Sequence, residues 1–499
     1  MGFELCRELG SHPLDNIDKF QGFAMISSSP FPMSRAFLGL MAKVLITSKE
    51  LNMKKLFDRM FLAHGGLWAY VPMVVAALLP LGLASVESTI PGNMMARYEC
   101  YAVAFWQGTG GINALPMRQC EFLPNIVQFH TLPIEYPPFS LAFFSLPLLI
   151  PFISYSLGFA LSMALVMGVI YKALLQYGPD GSAQVFAIFM VISSFATAFS
   201  CYDIVPAGMT LVCLVLVVHR RWMMAYIVLG LAVLVKLYPI LFFPIIFIAE
   251  QQDIQSYLNT SLKVLNTGSV GILHRIREIK SWHYKNSLIF LALLVGMTVF
   301  FGLFNFKDAV LSSLAYFLLR PIQVEAVGGV FLWLASLLGI PVTWQGSFGS
   351  LNVVSPIESV VSAISMIFLY VGYVSILIMS LQRKLNFNQA VLATLLVLIA
   401  TSKVFSPQYL IWLVPVLAYC NSTSKAWWIL WGSTSILTLI IFPFFYLFFG
   451  YFVMDLPNQP GFMQVILLRD GLIILTTLAY FFNWFNLRQP DINSGLVSE

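Results

Sequence analysis

The sequence predicts an all-α fold: a polytopic transmembrane helical bundle of about 11–13 spans with a long first extracytoplasmic loop. Three observations carry this. The 499 residues are 59% hydrophobic and 10% charged, with mean hydropathy +0.84, whereas a soluble domain carries about 25% charged residues. The apolar runs are continuous, as over 288–304 and 357–381, unlike the short alternating segments of a transmembrane barrel. The positive charges separate by loop, as a fixed orientation in a bilayer requires.

Residues 1–62 hold eight Lys and Arg. Their one apolar stretch, 36–46, is too short to span and no cleavable signal pattern precedes it, so they read as a cytoplasmic tail. A first span over 66–85 leads into an outer loop, 87–137. Apolar segments come next at 138–152, 156–176, 183–200, 204–219, 223–237 and 238–249. A basic stretch, 250–286, has no apolar run. Further segments lie at 287–304, 326–340, 357–381, 389–402, 409–420, 426–450 and 466–485. Several are too short to cross about 30 Å of hydrocarbon, and 138–152 and 326–340 read as interfacial or re-entrant. The multi-span domain is thus 63–488, with a second cytoplasmic tail at 489–499.

With the N-terminus inside, all but seven of the 27 Lys and Arg residues fall on the cytoplasmic side. The exceptions are Arg97, Arg118, Lys236, Lys307, Arg320, Lys403 and Arg469. Four of them sit in mixed polar, aromatic and proline clusters: Arg97-Tyr98-Glu99, Lys236-Leu237-Tyr238-Pro239, Arg320 with Gln323 and Glu325, and Lys403 with Ser406, Gln408 and Tyr409. Asp203 and Glu135-Tyr136-Pro137-Pro138 lie on the same face. Charge in lipid is costly, so charges gathered on one face are expected to work there.

Each cluster has a bland reading beside a functional one. Glu135 and Asp203 are a possible base or sugar ligand, or simply acids at helix starts and turns. Lys236, Arg320 and Lys403 together would hold a phosphate, or each would snorkel to the interface. Arg97 and Glu99 beside Tyr101 and Trp106 suit a carbohydrate, or a helix lying on the bilayer. His130 reads as packed or solvated. Cys100 and Cys120 share the outer loop and would pair in an oxidising compartment, the alternative being two free thiols. The net charge of +5 is spread over loops and does not indicate nucleic acid. Metal-ligand spacing, nucleotide loops and hydrolase elbows do not occur in the sequence, so no metal or cofactor is expected.

Glu135-Tyr-Pro-Pro after a long first loop, Asp203 before Val-Pro-Ala, Val-Lys236-Leu-Tyr-Pro, Arg320-Pro-x-Gln-x-Glu325 and Phe-Ser406-Pro-Gln-Tyr-Leu-x-Trp412, in this order, resemble the GT-C membrane glycosyltransferases. The nearest branch is the polyprenol-phosphate-mannose-dependent mannosyltransferases, glycosyltransferase family 87. The resemblance covers about 66–485. It implies a GT-C-like fold and an integral membrane enzyme of the plasma membrane. Such an enzyme moves a hexose, usually with inversion, from a polyprenyl-phosphate donor to a lipid or glycan acceptor at the extracytoplasmic face. It implies a first-loop acid as general base and later cations on the donor phosphate. Where the family carries that acid, this chain has Asn93-Met94, leaving Glu99, Glu135 or Glu87 to substitute. The expected roles are therefore Glu99 or Glu135 as base; Asp203, Tyr238, Gln323, Glu325, Ser406, Gln408 and Tyr409 on the substrate; and Arg97, Lys236, Arg320 and Lys403 on the phosphate. The alternative class is a non-enzymatic lipid-linked sugar translocator or lipid-phosphate-binding protein, which would use the same cations.

Overall fold

The computed structural model describes residues 67–87, 94–116, 119–123, 129–150, 152–194, 197–262, 282–421 and 425–488. The two tails, Arg118 and the basic residues of 263–281 lie outside them, as do Asn93 and the side chain of Glu87. The chain divides into two units, Met1–Tyr70 and Val71–Glu499. Of the first only Leu67–Tyr70, a single 3-10 turn, is described; the helices numbered below and the site belong to the second.

The α-helices of seven residues or more are numbered in chain order. They are α1 (Val71–Glu87), α2 (Met94–Ile112), α3 (Tyr155–Tyr177), α4 (Ser182–Ser194), α5 (Ile204–Val218), α6 (Trp222–Val235), α7 (Phe243–Leu262), α8 (Lys285–Gly302), α9 (Ser313–Leu319), α10 (Val327–Leu337), α11 (Glu358–Leu381), α12 (Phe387–Thr401), α13 (Leu410–Asn421), α14 (Lys425–Leu439) and α15 (Phe462–Phe481). Five apolar helices, α3, α8, α11, Lys425–Phe445 and α15, have 18 residues or more and are long enough to cross a membrane. Most of the rest have 11 to 15 residues. At 1.5 Å per residue these fall short of the hydrocarbon core alone.

Two kinds of helix are distinguished by burial. α13 is apolar all round, and Leu410, Ile411, Leu413, Val414, Val416 and Ala418 are wholly enclosed, as a central helix requires. It packs on α4, α5 and α12. By contrast, only Ile376 and Ser380 of the 24 residues of α11 are buried. Its Val360, Ile367, Phe368 and Val371 are more than half exposed, which suits a face toward lipid rather than water. The chain is an all-α membrane protein, as the composition predicts.

A small sheet interrupts the helical pattern. Strands β1 (Ile322–Gln323), β2 (Thr343–Ser347) and β3 (Ser350–Val354) pair antiparallel in the order β1-β3-β2. No such sheet was expected from the apolar periodicity. β1 is only two residues long, and β2 reads Thr-Trp-Gln-Gly-Ser. The expected re-entrant segment at 326–340 is the short helix α10. The 138–152 segment is a string of short turns and one four-residue helix rather than a span. The outer loop is not irregular throughout: α2 fills much of it and is bridged by a Cys100–Cys120 disulfide. His130 is packed, its ring beside Phe105, Phe129 and Phe304 and its Nδ1 on Phe105 O.

Helix polarity separates the charges. α5 begins after Asp203 and ends before Arg220; α6 begins after Arg221 and ends before Lys236; α12 begins after Lys384 and ends before Lys403. Lys236 and Lys403 thus stand at the opposite end of these helices from Arg220, Arg221 and Lys384. At the Arg220 end, ties knit the helices together: Arg220 to Asp253, Gln251 with the His283 backbone, and Gln252 to Ser380 O.

Arg469, one of the seven exceptions to the cytoplasmic charge bias, falls within the expected apolar segment 466–485. It lies inside α15, wholly buried, and pairs with Asp470 at 2.9 Å and Glu325 at 3.3 Å while donating to the Glu325 carbonyl. Breaking such a buried pair from one side costs about 3–5 kcal/mol, because the surviving charge is left uncompensated. Arg469→Leu should therefore lower the melting temperature in detergent sharply, and adding Glu325→Gln should recover part of the loss. Closing a 20-residue loop by a disulfide removes unfolded-state entropy worth about 3 kcal/mol. Cys120→Ser should lose that stability in a denaturation series and abolish the mobility difference between reduced and non-reduced samples.

Candidate functional site

The site begins with Asp203, which precedes α5. It occupies the N-cap position but caps nothing. Its Oδ1 instead accepts from Lys236 Nζ and from Trp412 Nε1, both at 2.5 Å. The carboxylate is fully buried, and the second oxygen, Oδ2, has no hydrogen-bond partner among the described residues. Three segments far apart in sequence meet at one carboxylate.

Prolines bring the partners there. α6 stops at Val235 because Pro239 cannot continue its hydrogen bonding. Lys236 then turns extended (φ −153°, ψ 138°), and a 3-10 turn, Tyr238–Phe242, leads into α7. Pro407 similarly holds Ser406 extended (φ −125°, ψ 148°) before the turn Pro407–Tyr409 that opens α13. Tyr409 and Trp412, three apart, stack at 4.1 Å, and Tyr238 stacks on the same indole at 4.2 Å. The Lys236 ammonium lies 5.0 Å from the Tyr202 ring, 5.1 Å from Trp412 and 5.7 Å from Tyr409. Such a cage favours a cation. Gln408 Oε1 accepts from Cys201 Sγ at 2.9 Å. Ser406 contributes its carbonyl to Tyr409 N.

The outer loop supplies the next part. Glu135 pairs with Arg97 at 2.5 Å. Arg97 also lies over the Phe122 ring at 4.5 Å and against the β2–β3 turn at Gly349. Gly349 has φ +68°, and a Cβ there would sit 2.5 Å from Arg97 Nη1, so the hairpin needs glycine both for its backbone and for the guanidinium. Burial raises the Glu135 pKa, with Arg97 and Arg320 opposing the shift. Tyr136 joins this corner to Asp203 through rings: it meets Tyr202 at 5.3 Å and Tyr98 at 5.8 Å.

Glu99 lies elsewhere. It accepts from Gln119 Nε2 at 2.8 Å, and burial raises its pKa. Residues two apart on a helix point apart, so Glu99 does not share the face of α2 that carries Arg97. Of the two expected base candidates, the structure brings only Glu135 to the cations.

The α9 region closes the site. Tyr316 donates to Phe348 O at 2.5 Å and lies within electrostatic reach of Glu135, Arg97, Arg320 and Tyr409. Burial pushes its phenol up to about 12. Arg320 stands 5.8 Å from the Tyr316 ring and makes no salt bridge among the described residues; its Nε is buried without a partner. Lys403 Nζ donates to Leu318 O at 2.7 Å. Burial lowers the Lys403 pKa, Glu358 opposes this, and nearby Arg320 adds to it. Gln323 is held by its own N–H on Lys403 O, with Oε1 buried and unpartnered among the described residues.

Glu325 is not free for a substrate. Its carboxylate takes Arg469 and the Tyr446 hydroxyl, the latter at 2.7 Å. This corrects its expected role: the nearness of Glu325 to Arg320 in sequence does not carry over to the site. Tyr202, Tyr316 and the Asp203 partner Trp412 were given no site role from the sequence, although Trp412 closes the Phe-Ser406-Pro-Gln-Tyr-Leu-x-Trp412 motif.

Two comparisons bear on this arrangement. Residues 135–255 match the model of glycosyltransferase family 87, and residues 196–316 match that of mannosyltransferase (PIG-M). The first match opens at Glu135 and both contain Asp203 and Lys236, while Arg320, Gln323 and Lys403 lie beyond both. No curated protein matches the chain. Together the two matches cover residues 135–316, and with the helical membrane fold they support a membrane glycosyltransferase.

Proposed function

We propose that the enzyme transfers a hexose, and specifically mannose, from a polyprenyl-phosphate donor to a hydroxyl of a lipid or glycan acceptor at the extracytoplasmic face of the plasma membrane. One observation supports this most. Around the joined Asp203 and Glu135 corners, Arg97 Nε, Asp203 Oδ2, Arg320 Nε and Gln323 Oε1 are all buried without hydrogen-bond partners among the described residues. Buried polar atoms are rarely left so. A sugar phosphate offers hydroxyls to the acceptors and phosphate oxygens to the donors. The disulfide in the outer loop favours an oxidising, extracytoplasmic side.

In this reading Glu135 takes the proton of the acceptor hydroxyl as its oxygen attacks the anomeric carbon. The bond from that carbon to the phosphate oxygen breaks, and the lipid phosphate leaves with the electron pair. Arg320, Lys403 and Lys236 stabilise the charge that develops there, in surroundings of low dielectric where such groups act strongly. Arg97 steadies Glu135 and adds a further donor toward the phosphate. Asp203 and Gln323 orient the sugar, and Tyr238, Gln408 and Tyr409 support its wall. Glu99 is the second choice for the base, because no cation among the described residues pairs with it.

The test is transfer of labelled mannose from a polyprenyl-phosphate donor into lipid or glycan. Glu135→Gln should lose about 10²–10⁴-fold in turnover while donor binding persists, whereas Glu99→Gln should stay active. If Glu99→Gln alone abolishes transfer, the base assignment fails. Donor binding without turnover in the wild type, across several labelled sugars and acceptors, would favour the translocator. Because the Glu135 pKa is raised, its active carboxylate form is lost as pH falls through a value above the ordinary glutamate range. The acid limb of the wild-type rate profile should therefore lie above pH 4.5. Arg320→Ala should cut kcat/KM by about 10²–10³-fold with an unchanged melting temperature. Asp203→Asn, which strips Lys236 of its buried partner, should lower both.

A further inference from the structure

At the far end of α12 from Lys403, a cavity of about 420 Å³ is lined by Met379, Lys384, Gln389, Asn483 and Arg488. α12 has 15 residues, so the cavity lies about 22 Å along the helix from Lys403 and belongs to a different site. We propose that it binds the phosphate headgroup of an anionic membrane lipid.

Four observations point to this ligand. Lys384 and Arg488 both face the cavity, and neither makes a salt bridge among the described residues; Arg488 Nε is buried with no hydrogen-bond partner. Two cations held together without a carboxylate call for an anion. The N-terminus of α12 opens beside Lys384, fixed by the Asn386–Gln389 capping box, and adds the positive end of its dipole. The turns that carry the cations are tight: Arg383 and Asn483 adopt φ +59° and +56°, and Asn483 Oδ1 receives the Arg488 N–H.

The surroundings select a lipid over a free ion. Phe482, Trp484 and Phe485, close in sequence to the lining residue Asn483, are each about half exposed or more, and Ile378, next to the lining residue Met379 in α11, is 40% exposed. Aromatic rings at the level of the headgroups are typical of a membrane interface. The apolar face of α11 runs away from the cavity along the bundle, a track for acyl chains that start from a headgroup held between Lys384 and Arg488.

The experiment uses the purified full chain in a neutral detergent, titrated with dioleoylphosphatidylglycerol, dioleoylphosphatidylcholine or inorganic phosphate. Thermal stability and lipid retention in native mass spectrometry are the readouts. The wild type should be stabilised and retain phosphatidylglycerol at concentrations at least tenfold below those needed for phosphatidylcholine. Lys384→Ala with Arg488→Ala should lose that preference, and Lys384→Arg with Arg488→Lys should keep it. Should the double alanine variant fail to fold, Lys384→Gln alone should still weaken retention. Equal effects of the two lipids, or a preference that survives loss of both cations, would overturn the proposal. Protection by inorganic phosphate alone at equal concentration would overturn the lipid assignment and leave a soluble phosphate as the ligand.

Discussion

One buried carboxylate organises the active end of this protein. Asp203 receives Lys236 and Trp412 on a single oxygen, and through them the loop before α5, the break after α6 and the start of α13 become one body. A carboxylate wholly removed from water is tolerable only when paired and hydrogen bonded. The geometry of the three segments is therefore held by the cost of separating them. Lys236 in turn sits among Tyr202, Tyr409 and Trp412, so its charge is spread over ring faces rather than neutralised by a second acid. The other carboxylate oxygen, Oδ2, has no hydrogen-bond partner among the described residues.

The remaining charges divide between work and framework. Glu325, Arg469, Asp470 and Tyr446 form a buried network in which the Arg469 and Tyr446 donors meet acceptors from the same set, while Asp470 Oδ2 has no hydrogen-bond partner among the described residues. It anchors the carbonyl of Glu325 just after β1 and so fixes the strand that presents Gln323. Arg320 and Lys403 stand at the other side of that short strand, close enough for each to feel the other's charge. Beyond the effect of burial, their mutual repulsion lowers the Lys403 pKa and is a cost in the protein.

Much of the fold was legible because hydrophobic length is read directly from sequence. The segments expected at 156–176, 204–219, 357–381 and 389–402 match α3, α5, α11 and α12 to within two residues at each end. The apolar stretch at 238–249 was right in kind, but Pro239 delays its α-helix to Phe243. What failed was nonlocal. The two-residue strand β1 carries too little sequence to announce itself, and it exists because β3 lies beside it. The pairing of Glu325 with Arg469 joins residues 144 apart, and no local spacing encodes it. The site clusters named from sequence were chosen by residue type and shared face. That logic picked out Asp203 and Lys236, which the structure pairs, but it could not decide which side of α2 a carboxylate occupies. It therefore ranked Glu99 with Glu135.

The contact between Gly349 and Arg97 has a consequence for reading inherited or laboratory variation. Gly349 bears no functional group and sits on a hairpin tip, a position where change is usually tolerated. Here any side chain would meet the guanidinium that steadies Glu135. A substitution at this silent-looking residue would strain the turn and push that guanidinium from its place, at a position that no inventory of chemical groups would flag.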